Sequence, residues 1–394
     1  MRVGREELGA REESFRNLMD RVHPGWDTVF ILSNENQYYF TGTIQNAFLI
    51  IKRNSRAVYF VYKSFTKAKD ESNFPEIYPM SSYRDAAAHT GTACGNTFFE
   101  TDVVPYGVIG KIAEYFKIDR IASVDRLLLG QRAVKSEYEL DIIRETGRMH
   151  ADFMNNILPG LFREGMSEAE LHAEIYEKII KHGSCGKSRF WNFRTQMITG
   201  NACFGESSIY PASMDSPDGG FGMHPAFPFV GSRERKLKKT DLIFVDLAYG
   251  REGYYTDKTC IFAFEGEVDD RTKMLHEKCI RCLDETARSL KPGAIPSEIY
   301  KEAVSRLDED VMENFMGYGM EKAKFIGHGT GLDVDEAPVL SANNNIPLEE
   351  GMVIALEPKT GIKGVGLVGA EETFIVGSNG AECITGNASG IIQI

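Results

Sequence analysis

The stretch DLIFVDLAYGREGYYTDKTCIF, residues 241–262, predicts two β-strands joined by a turn. Its middle, GREG, carries two glycines at the spacing typical of a turn, and apolar residues dominate both flanks. A turn centred between Arg251 and Glu252 places Asp246 directly opposite Asp257. Directly opposed side chains on one sheet face have Cβ atoms roughly 4.5–5.5 Å apart. Two carboxylates this close among apolar neighbours require a shared proton or a cation.

A second predicted hairpin, MVIALEPKTGIKGVGLVGAEETFIV over residues 352–376, repeats the arrangement. A loop centred on Gly364 places Glu357 opposite Glu371. The glycines from 364 to 369 spell a dinucleotide-binding fingerprint, but a strand-like run rather than a helix follows them, so we interpret them as a hairpin loop. A single opposed acid pair is more often a surface accident, whereas two in one domain indicate a metal site.

His328 lies between the two hairpins in FIGHGTGLDVDEAP, residues 325–338, and alone would be read as a loop histidine. Glycines on both sides of it allow the backbone to approach a ligand closely. Four carboxylates and one imidazole form a hard, oxygen-rich set that suits Mn, Fe, Co or Zn better than a structural thiolate site does. Four carboxylates exceed the charge of one divalent ion. Two ions bridged by carboxylates and water, a hydrolytic arrangement, are therefore predicted.

The rest of the second half alternates predicted helices and strands, which is typical of an α+β domain with helices packed on a sheet. Ser136 precedes Glu139, and Ser167 precedes Glu170, at the spacing of capping boxes that begin helices. Further helices are predicted near 270–290 and 297–315, and strands at 242–248, 254–264, 352–357 and 371–376.

The first third has a different pattern, with short apolar runs between helical stretches. Strands of a small sheet are predicted at 28–32, 47–51 and 57–62, a helix over 104–117, and a short apolar run at 121–124. The pattern changes near 127–135. We therefore predict an α/β N-terminal domain, residues 1–130, followed by a catalytic domain, residues 131–394.

Composition restricts the possible partners and location. The net charge of -12 argues against nucleic acid and anionic membrane surfaces, because both require a basic surface. No signal peptide or long apolar run is evident, so we expect a cytoplasmic protein with seven reduced cysteines. In a cytoplasmic protein the Asn387-Ala388-Ser389 sequon would not be glycosylated. Cys279 and Cys282, with His276 one turn earlier, lie in a predicted helix without a second pair, so a structural role is favoured over a zinc or redox site.

These segments resemble the metallopeptidase family that includes methionine aminopeptidase, Xaa-Pro dipeptidase, aminopeptidase P and creatinase, known as the pita-bread fold. The family's ligands occur in the order Asp, Asp, His, Glu, Glu, matched here by Asp246, Asp257, His328, Glu357 and Glu371. Further family-like stretches are GHGTG around His328, GMVIALEP ending at Pro358, AEETFIV after Gly369, RAVKSEYEL at 132–140 and NENQYYFTG at 34–42. The last two resemble the prolidase-like branch.

The resemblance implies a role for each ligand. Asp246 would bind one ion through both oxygens, Asp257 and Glu371 would bridge the two ions, and His328 and Glu357 would complete the other. Glu357 could also take a proton from the attacking water. The implied cofactors are two divalent metal ions, manganese first, with cobalt, zinc and iron as alternatives. A small peptide substrate and a homodimer are also implied.

Two positions depart from the family pattern. Peptidase members carry a histidine seven residues after the liganding histidine, where this chain has Asp335, which cannot donate a hydrogen bond unless protonated. A second substrate histidine usually precedes the first aspartate by about 17 residues, where this chain has Phe229, with His224 five residues away. We predict His224 and Asp335 as substrate-binding residues and Glu357 and Asp335 as catalytic ones. For Asp335 a solvated loop acid is the alternative.

Three functions follow from these residues. The first is a metal-dependent hydrolase of small peptides that resembles Xaa-Pro dipeptidases and aminopeptidases. The second, motivated by the substituted histidines, is a non-peptidase enzyme on the same scaffold, either a creatinase-like C–N hydrolase or a metal-dependent lyase of a small carboxylate. The third is a non-enzymatic binding module, which the complete ligand set and the acidic charge disfavour.

Overall fold

The computed structural model describes residues 2–192, 195–387 and 390–394. Contacts between Cα atoms divide the chain into two compact units, Met1–Arg132 and Ala133–Ile394. Ala388 and Ser389 of the sequon lie outside the described residues. Within the described ranges, no helix combines the length and apolar character needed to cross a lipid bilayer.

The first unit is built on a six-stranded mixed sheet in the order β4-β3-β2-β1-β5-β6. Its helices are α1 Arg5–Val22, α2 Asn34–Thr41, α3 Phe65–Glu71, α4 Tyr83–Thr90, α5 Tyr106–Ala113 and α6 Asp125–Ala133. Its strands are β1 Thr28–Ile31, β2 Asn46–Lys52, β3 Val58–Lys63, β4 Ile77–Pro79, β5 Ala93–Phe99 and β6 Lys117–Ser123. Phe30 and Phe99 stack with ring centroids 4.9 Å apart in its core, which explains why these aromatic, β-branched runs form strands.

Most predicted elements of this unit are confirmed, with two differences. The helix predicted over 104–117 is shorter, because residues from Lys117 onward pair in parallel with β5 instead. The charged N-terminal stretch, for which no element was predicted, forms α1. It buries Leu8, Arg11, Phe15 and Met19 along one side and exposes most of its other charged residues, so it is an amphipathic helix.

The second unit combines helices with paired hairpins. Its helices are α7 Glu137–Asp152, α8 Glu168–His182, α9 Asp270–Ala287, α10 Pro296–Ser305 and α11 Glu309–Met312. Its strands are β7 Gly200–Phe204, β8 Leu242–Arg251, β9 Tyr254–Ala263, β10 Gly317–Tyr318, β11 Glu321–Lys322, β12 Gly327–Gly329, β13 Val353–Leu356, β14 Lys359–Ile362, β15 Gly366–Gly369, β16 Glu372–Gly377, β17 Gly380–Cys383 and β18 Ile392–Gln393. Both predicted capping boxes are present, at the starts of α7 and α8. The single helix predicted over 297–315 is two helices, because Asp308 begins a new one.

The β8–β9 hairpin is the centre of a four-stranded sheet, β18-β9-β8-β7. Asp246 pairs with Thr259, and Asp257 pairs with Ala248, so the prediction that the two aspartates directly face each other is wrong. The loop is Glu252-Gly253, with φ of 50° and 93°, which is the left-handed geometry that a two-residue hairpin loop requires. The turn therefore lies one residue later than predicted and the register shifts by two. Because side chains alternate with period two, both aspartates still share one face.

The second acid-bearing hairpin has the predicted register. Lys359 pairs with Gly369, and Leu356 pairs with Glu372, so the two pairs enclose Glu357 and Glu371 at opposed positions. A backbone bridge joins Thr259 of β9 to Glu371. Since Thr259 also pairs with Asp246, this one residue brings the two hairpins together.

The two faces of the β8–β9 sheet contact different layers. The back face carries Val245, Leu247 and Tyr249, which pack with α8 and with the short turns that follow α7. The front face carries Phe244 and Ile261, which pack with α9. Cys279 and Cys282 are buried inside α9 as free thiols, in agreement with the structural interpretation. The acids lie on the front face, beyond this apolar layer.

Candidate metal centre

Five side chains converge where the two hairpins meet. Asp246 and Asp257 extend from β8 and β9, His328 from β12, and the two glutamates from the ends of β13 and β16. Ligand atoms of Asp257, His328 and Glu371 all lie within 4.8 Å of one another, and we term these residues the first donor group. Ligand atoms of Asp246, Glu357 and Glu371 satisfy the same limit and form the second donor group. The residues predicted as ligands are therefore brought together by the fold.

His328 is oriented by its own strand. A Cβ at Gly327 or Gly329 would lie 2.4 Å or 2.2 Å from a backbone carbonyl oxygen, so glycine is required on both sides of it. The Nδ1 atom lies 3.0 Å from the carbonyl oxygen of Gly329, which can only accept, so Nδ1 carries the proton. The Nε2 atom faces the acids, 3.6 Å from Glu371 Oε1 and 3.7 Å from Glu357 Oε1. Burial lowers the pKa of His328, but the nearby Asp335, Glu371 and Glu357 outweigh burial and raise that pKa well above its usual range, so an ion bound at Nε2 would displace a proton. With Nδ1 bonded to the carbonyl oxygen, Nε2 is the nitrogen placed to bind a metal.

The carboxylates repel one another in a buried setting. Burial, followed by repulsion from Glu371 and Asp246, raises the pKa of Asp257 well above its usual range. Burial likewise raises the pKa of Asp246, and raises that of Glu357 to about 7. The cluster therefore needs cations to keep all four carboxylates ionised.

One such cation belongs to the chain itself, and sequence analysis missed it. The Nζ atom of Lys359 lies 2.7 Å from Asp246 Oδ2, 2.9 Å from Glu357 Oε2 and 2.9 Å from Glu371 Oε2. Its side chain is completely buried. A signal was available, because Lys359 follows Glu357 by two residues and alternation along a strand places both on one face.

The two donor groups differ in how well they suit a divalent ion. In the first group, Glu371 Oε1 is buried and has no hydrogen-bond partner among the described residues. A buried carboxylate oxygen without a hydrogen-bond donor, beside an imidazole nitrogen and a second carboxylate, fits a divalent ion. In the second group, every residue already directs one carboxylate oxygen to Lys359 Nζ, so the ammonium supplies positive charge to all three carboxylates.

The residues behind the ligands are also fixed. Thr259 Oγ1 donates to Glu371 Oε2 at 3.0 Å. The backbone N–H of Asp257 donates to Thr373 Oγ1 at 2.9 Å, and Thr373 Oγ1 donates in turn to the carbonyl oxygen of Asp257 at 2.8 Å. The bond from Thr259 limits the orientation of the Glu371 carboxylate, and the bonds to Thr373 fix the backbone of Asp257.

The predicted substrate residues occupy different places. Asp335 lines the same cleft as the ligands, half exposed, with Oδ1 3.4 Å from His328 Nδ1. His224 does not line that cleft. It is exposed and accepts a hydrogen bond from the backbone of Ala226 at 3.1 Å in an adjacent depression, which Phe229 also lines. The acids and His224 are thus not brought together by the fold.

The cleft wall holds residues that the sequence did not single out. Asp218 Oδ2 accepts a hydrogen bond from Asn201 Nδ2 at 2.8 Å at one side of the acids. Apolar side chains also line the cleft, namely Phe190, Met197, Met214, Phe325 and Val334, together with the polar Asp215 and Ser216. No spacing signal links Asp218 to the ligands, because the loop that carries it folds over the sheet only in three dimensions. The cleft combines an apolar wall with an acidic floor.

Comparisons with known proteins agree on one family. Residues 141–378 match the sequence model of Metallopeptidase family M24, and residues 11–134 match that of the Creatinase/Prolidase N-terminal domain. The Xaa-Pro dipeptidase of Pyrococcus horikoshii is 26% identical over 363 residues, which cover 91% of this chain and 92% of that protein. The structure of Xaa-Pro dipeptidase from Bacillus anthracis superposes with a TM-score of 0.80 at 21% identity, covering 98% of this chain and 100% of that one. The prolidase from Pyrococcus furiosus gives 0.76 at 21% identity, covering 95% and 100%.

Proposed function

The chain belongs to metallopeptidase family M24, in its prolidase-like branch, and we propose that it is a metal-dependent hydrolase that cleaves short peptides. The observation that carries the proposal is the convergence of Asp246, Asp257, His328, Glu357 and Glu371 on one buried cleft. Similarity to Xaa-Pro dipeptidases over 91% of the chain supports dipeptides that end in proline as the first substrates to test.

The residues of the cleft have separate roles in this proposal. A divalent ion held by the first donor group would polarise the scissile carbonyl and increase the acidity of water. Glu357, whose pKa is raised to about 7 by burial, would accept the proton of the attacking water and pass it to the leaving amine. Asp335, at the open side of His328, would contact the substrate.

The number and identity of the ions are part of the proposal. The sequence predicts two divalent ions per chain, with manganese first and cobalt, zinc or iron as alternatives. The first donor group offers carboxylate and imidazole ligands that suit all four metals. The ammonium of Lys359, which contacts every residue of the second donor group, bears directly on how many ions can bind.

The test is a peptide screen with reconstituted protein. The chain is freed of metal, loaded in turn with Mn²⁺, Co²⁺, Zn²⁺ and Fe²⁺, and assayed on Xaa-Pro dipeptides, other dipeptides and tripeptides. We expect cleavage of at least one short peptide, and loss of that activity in Asp257→Asn with the same metal. A metal-loaded protein that leaves the whole panel intact would refute the peptidase proposal.

A second function is favoured by the two departures at the substrate side. Asp335 and Phe229 stand where peptidase members carry histidines, so the cleft lacks two donors for a peptide carbonyl. We propose a non-peptidase hydrolase or lyase of a small carboxylate as the alternative. Turnover of an amidine such as creatine, or of a β-eliminating carboxylate, by protein that ignores peptides would select it.

A further inference from the structure

We propose that Lys359 replaces one of the two metal ions, so that the centre binds a single divalent ion through the first donor group. The inference rests on the proposed metal dependence and goes beyond it, because it assigns the number of ions and the role of a residue outside the five ligands. It does not depend on which substrate is cleaved.

The ammonium of Lys359 is surrounded by carboxylate oxygens in the way that a bound metal ion would be. Lys359 Nζ has three hydrogens to donate, and three carboxylate oxygens from three different residues lie 2.7–2.9 Å away. Those residues are the whole of the second donor group. A divalent ion bonded to the same oxygens at about 2.0–2.2 Å would need the space that Nζ occupies. The ammonium and a second ion therefore compete for one position.

The lysine is held firmly in this position. Lys359 lies in β14, paired with Gly369, and its carbonyl oxygen accepts a hydrogen bond from Met316 N at 2.8 Å. A Cβ at Gly369 would lie only 3.2 Å from Lys359 Cγ, so the glycine leaves room for the lysine stem. The ring of Phe244 lies 5.7 Å from Nζ. Moving the ammonium aside would break three charge-assisted hydrogen bonds inside the fold.

In the first donor group, the atoms that would bind the ion make no hydrogen bond to Lys359. Asp257 and His328 make no hydrogen bond to Lys359 within the described ranges, and Glu371 directs Oε2 to the ammonium while Oε1 stays without a donor. Glu371 can therefore serve both cations at once, one through each oxygen. In the proposed centre, Glu371 lies between two different cations, a divalent ion in the first donor group and the ammonium of Lys359.

Metal counting tests the proposal without any substrate. The full-length chain, Lys359→Met and Lys359→Arg are freed of metal, equilibrated with Mn²⁺, desalted, and analysed for metal per chain by mass spectrometry. Lys258→Met serves as the control for loss of a buried lysine outside the donor groups. We expect one ion in the unmodified chain, in Lys359→Arg and in Lys258→Met, and two ions in Lys359→Met.

Electron paramagnetic resonance gives a second measurement on the same samples. A single Mn²⁺ gives an isolated six-line signal, whereas two neighbouring Mn²⁺ ions give a spin-coupled one. We expect the isolated signal from the unmodified chain and the coupled signal from Lys359→Met. If Lys359→Met does not fold, the unmodified chain and Lys359→Arg still decide the number of ions.

Several results would overturn the proposal. Two ions or a coupled signal in the unmodified chain would show that the lysine moves aside, and no bound ion would show that the ammonium alone neutralises the site. A folded Lys359→Met that still binds one ion would also refute it. One ion without cleavage of any peptide would refute the peptidase function alone, whereas two ions with cleavage would refute this inference alone.

Discussion

Two buried lysines, Lys258 and Lys359, lie close in the fold but on different sides of the acid-bearing sheet. Lys258 follows Asp257 on β9 and points to the opposite face, where it forms an ion pair with Glu372, the residue after Glu371. That pair has one cation and one carboxylate, and Thr385 Oγ1 also donates to Glu372. Lys359 instead contacts three carboxylates in a cluster of four. The matched pair is complete, whereas the cluster retains a negative excess that can bind an ion.

The largest expected effect comes from removing a carboxylate on the acid-rich face. Asp257→Asn should lower kcat/KM on the best-cleaved peptide by about 10³-fold or more, because a lost ligand forfeits several kcal/mol of charge stabilisation. Metal content should fall with it. Glu372→Gln, on the opposite face, should keep its metal. If Asp257→Asn retained metal and activity, the distinction between the two faces would not hold.

The next effect concerns the matched pair. Lys258→Met leaves the carboxylate of Glu372 buried without its cation and should lower the free energy of unfolding by about 3–5 kcal/mol, measured by urea denaturation. Lys258→Met combined with Glu372→Leu removes both charges and should recover most of the loss. Added Mn²⁺ should stabilise Lys258→Met only as much as it stabilises the unmodified chain, so the difference in unfolding free energy between the two should remain. Equal stability of the single and double variants would contradict a matched pair.

A smaller effect, the additional stabilisation by bound metal, is expected for variants of the other lysine. Metal-free Lys359→Met should be less stable than the unmodified chain, because three buried carboxylates lose their shared cation. Each newly bound ion stabilises the folded state by about 2.7 kcal/mol when its free concentration is 100 times its Kd. The rise in Tm on adding Mn²⁺ should therefore be larger in Lys359→Met than in the unmodified chain. Equal rises would contradict the exchange of ammonium for ion.

The smallest expected effect is a pH dependence of stability, and it concerns the sheet face that carries Lys258. His150 on α7 bonds through Nδ1 to Thr256 Oγ1 at 3.1 Å, and burial, followed by the charge of Lys258, lowers its pKa to about 3. The unfolded chain protonates this histidine near pH 6.5, so stability is lost as pH falls from there toward 3.

His150→Gln removes this proton linkage. By pH 5 the linked loss amounts to about 2 kcal/mol, at about 1.4 kcal/mol per pH unit. The difference in unfolding free energy between the unmodified chain and His150→Gln should therefore shrink by that amount from pH 7 to pH 5, as measured by urea denaturation at each pH. A difference that stays constant with pH would show that His150 is not buried neutral.

The metal-binding acids could be predicted from the sequence because all four lie in two hairpins, each formed by a continuous segment of the chain. The register of the second hairpin followed from its glycine-rich loop and is confirmed. The register of the first was missed by two residues, since nothing in the sequence signals that Glu252 adopts a left-handed conformation. One non-glycine residue at positive φ therefore decided how Asp246 and Asp257 are placed.

The contacts of Lys359 depend on three separate segments and could be anticipated only in part. Alternation places Lys359 beside Glu357, but its contact with Asp246 requires the two hairpins to meet at Thr259, which only the fold provides. The position of Asp218 depends in the same way on a loop folding over the sheet. The expectations of a homodimer and of a cytoplasmic location stay predictions.

The covalent attachment of Lys359 has a consequence for metal supply. An ammonium on the chain is present at one equivalent per site at any concentration of free metal, and a chelator cannot extract it. A centre with one exchangeable ion beside such a fixed charge fills in a single step, so half-loaded intermediates do not arise. Under metal scarcity the occupied fraction would follow the free ion concentration to the first power, where a two-ion centre follows a steeper dependence.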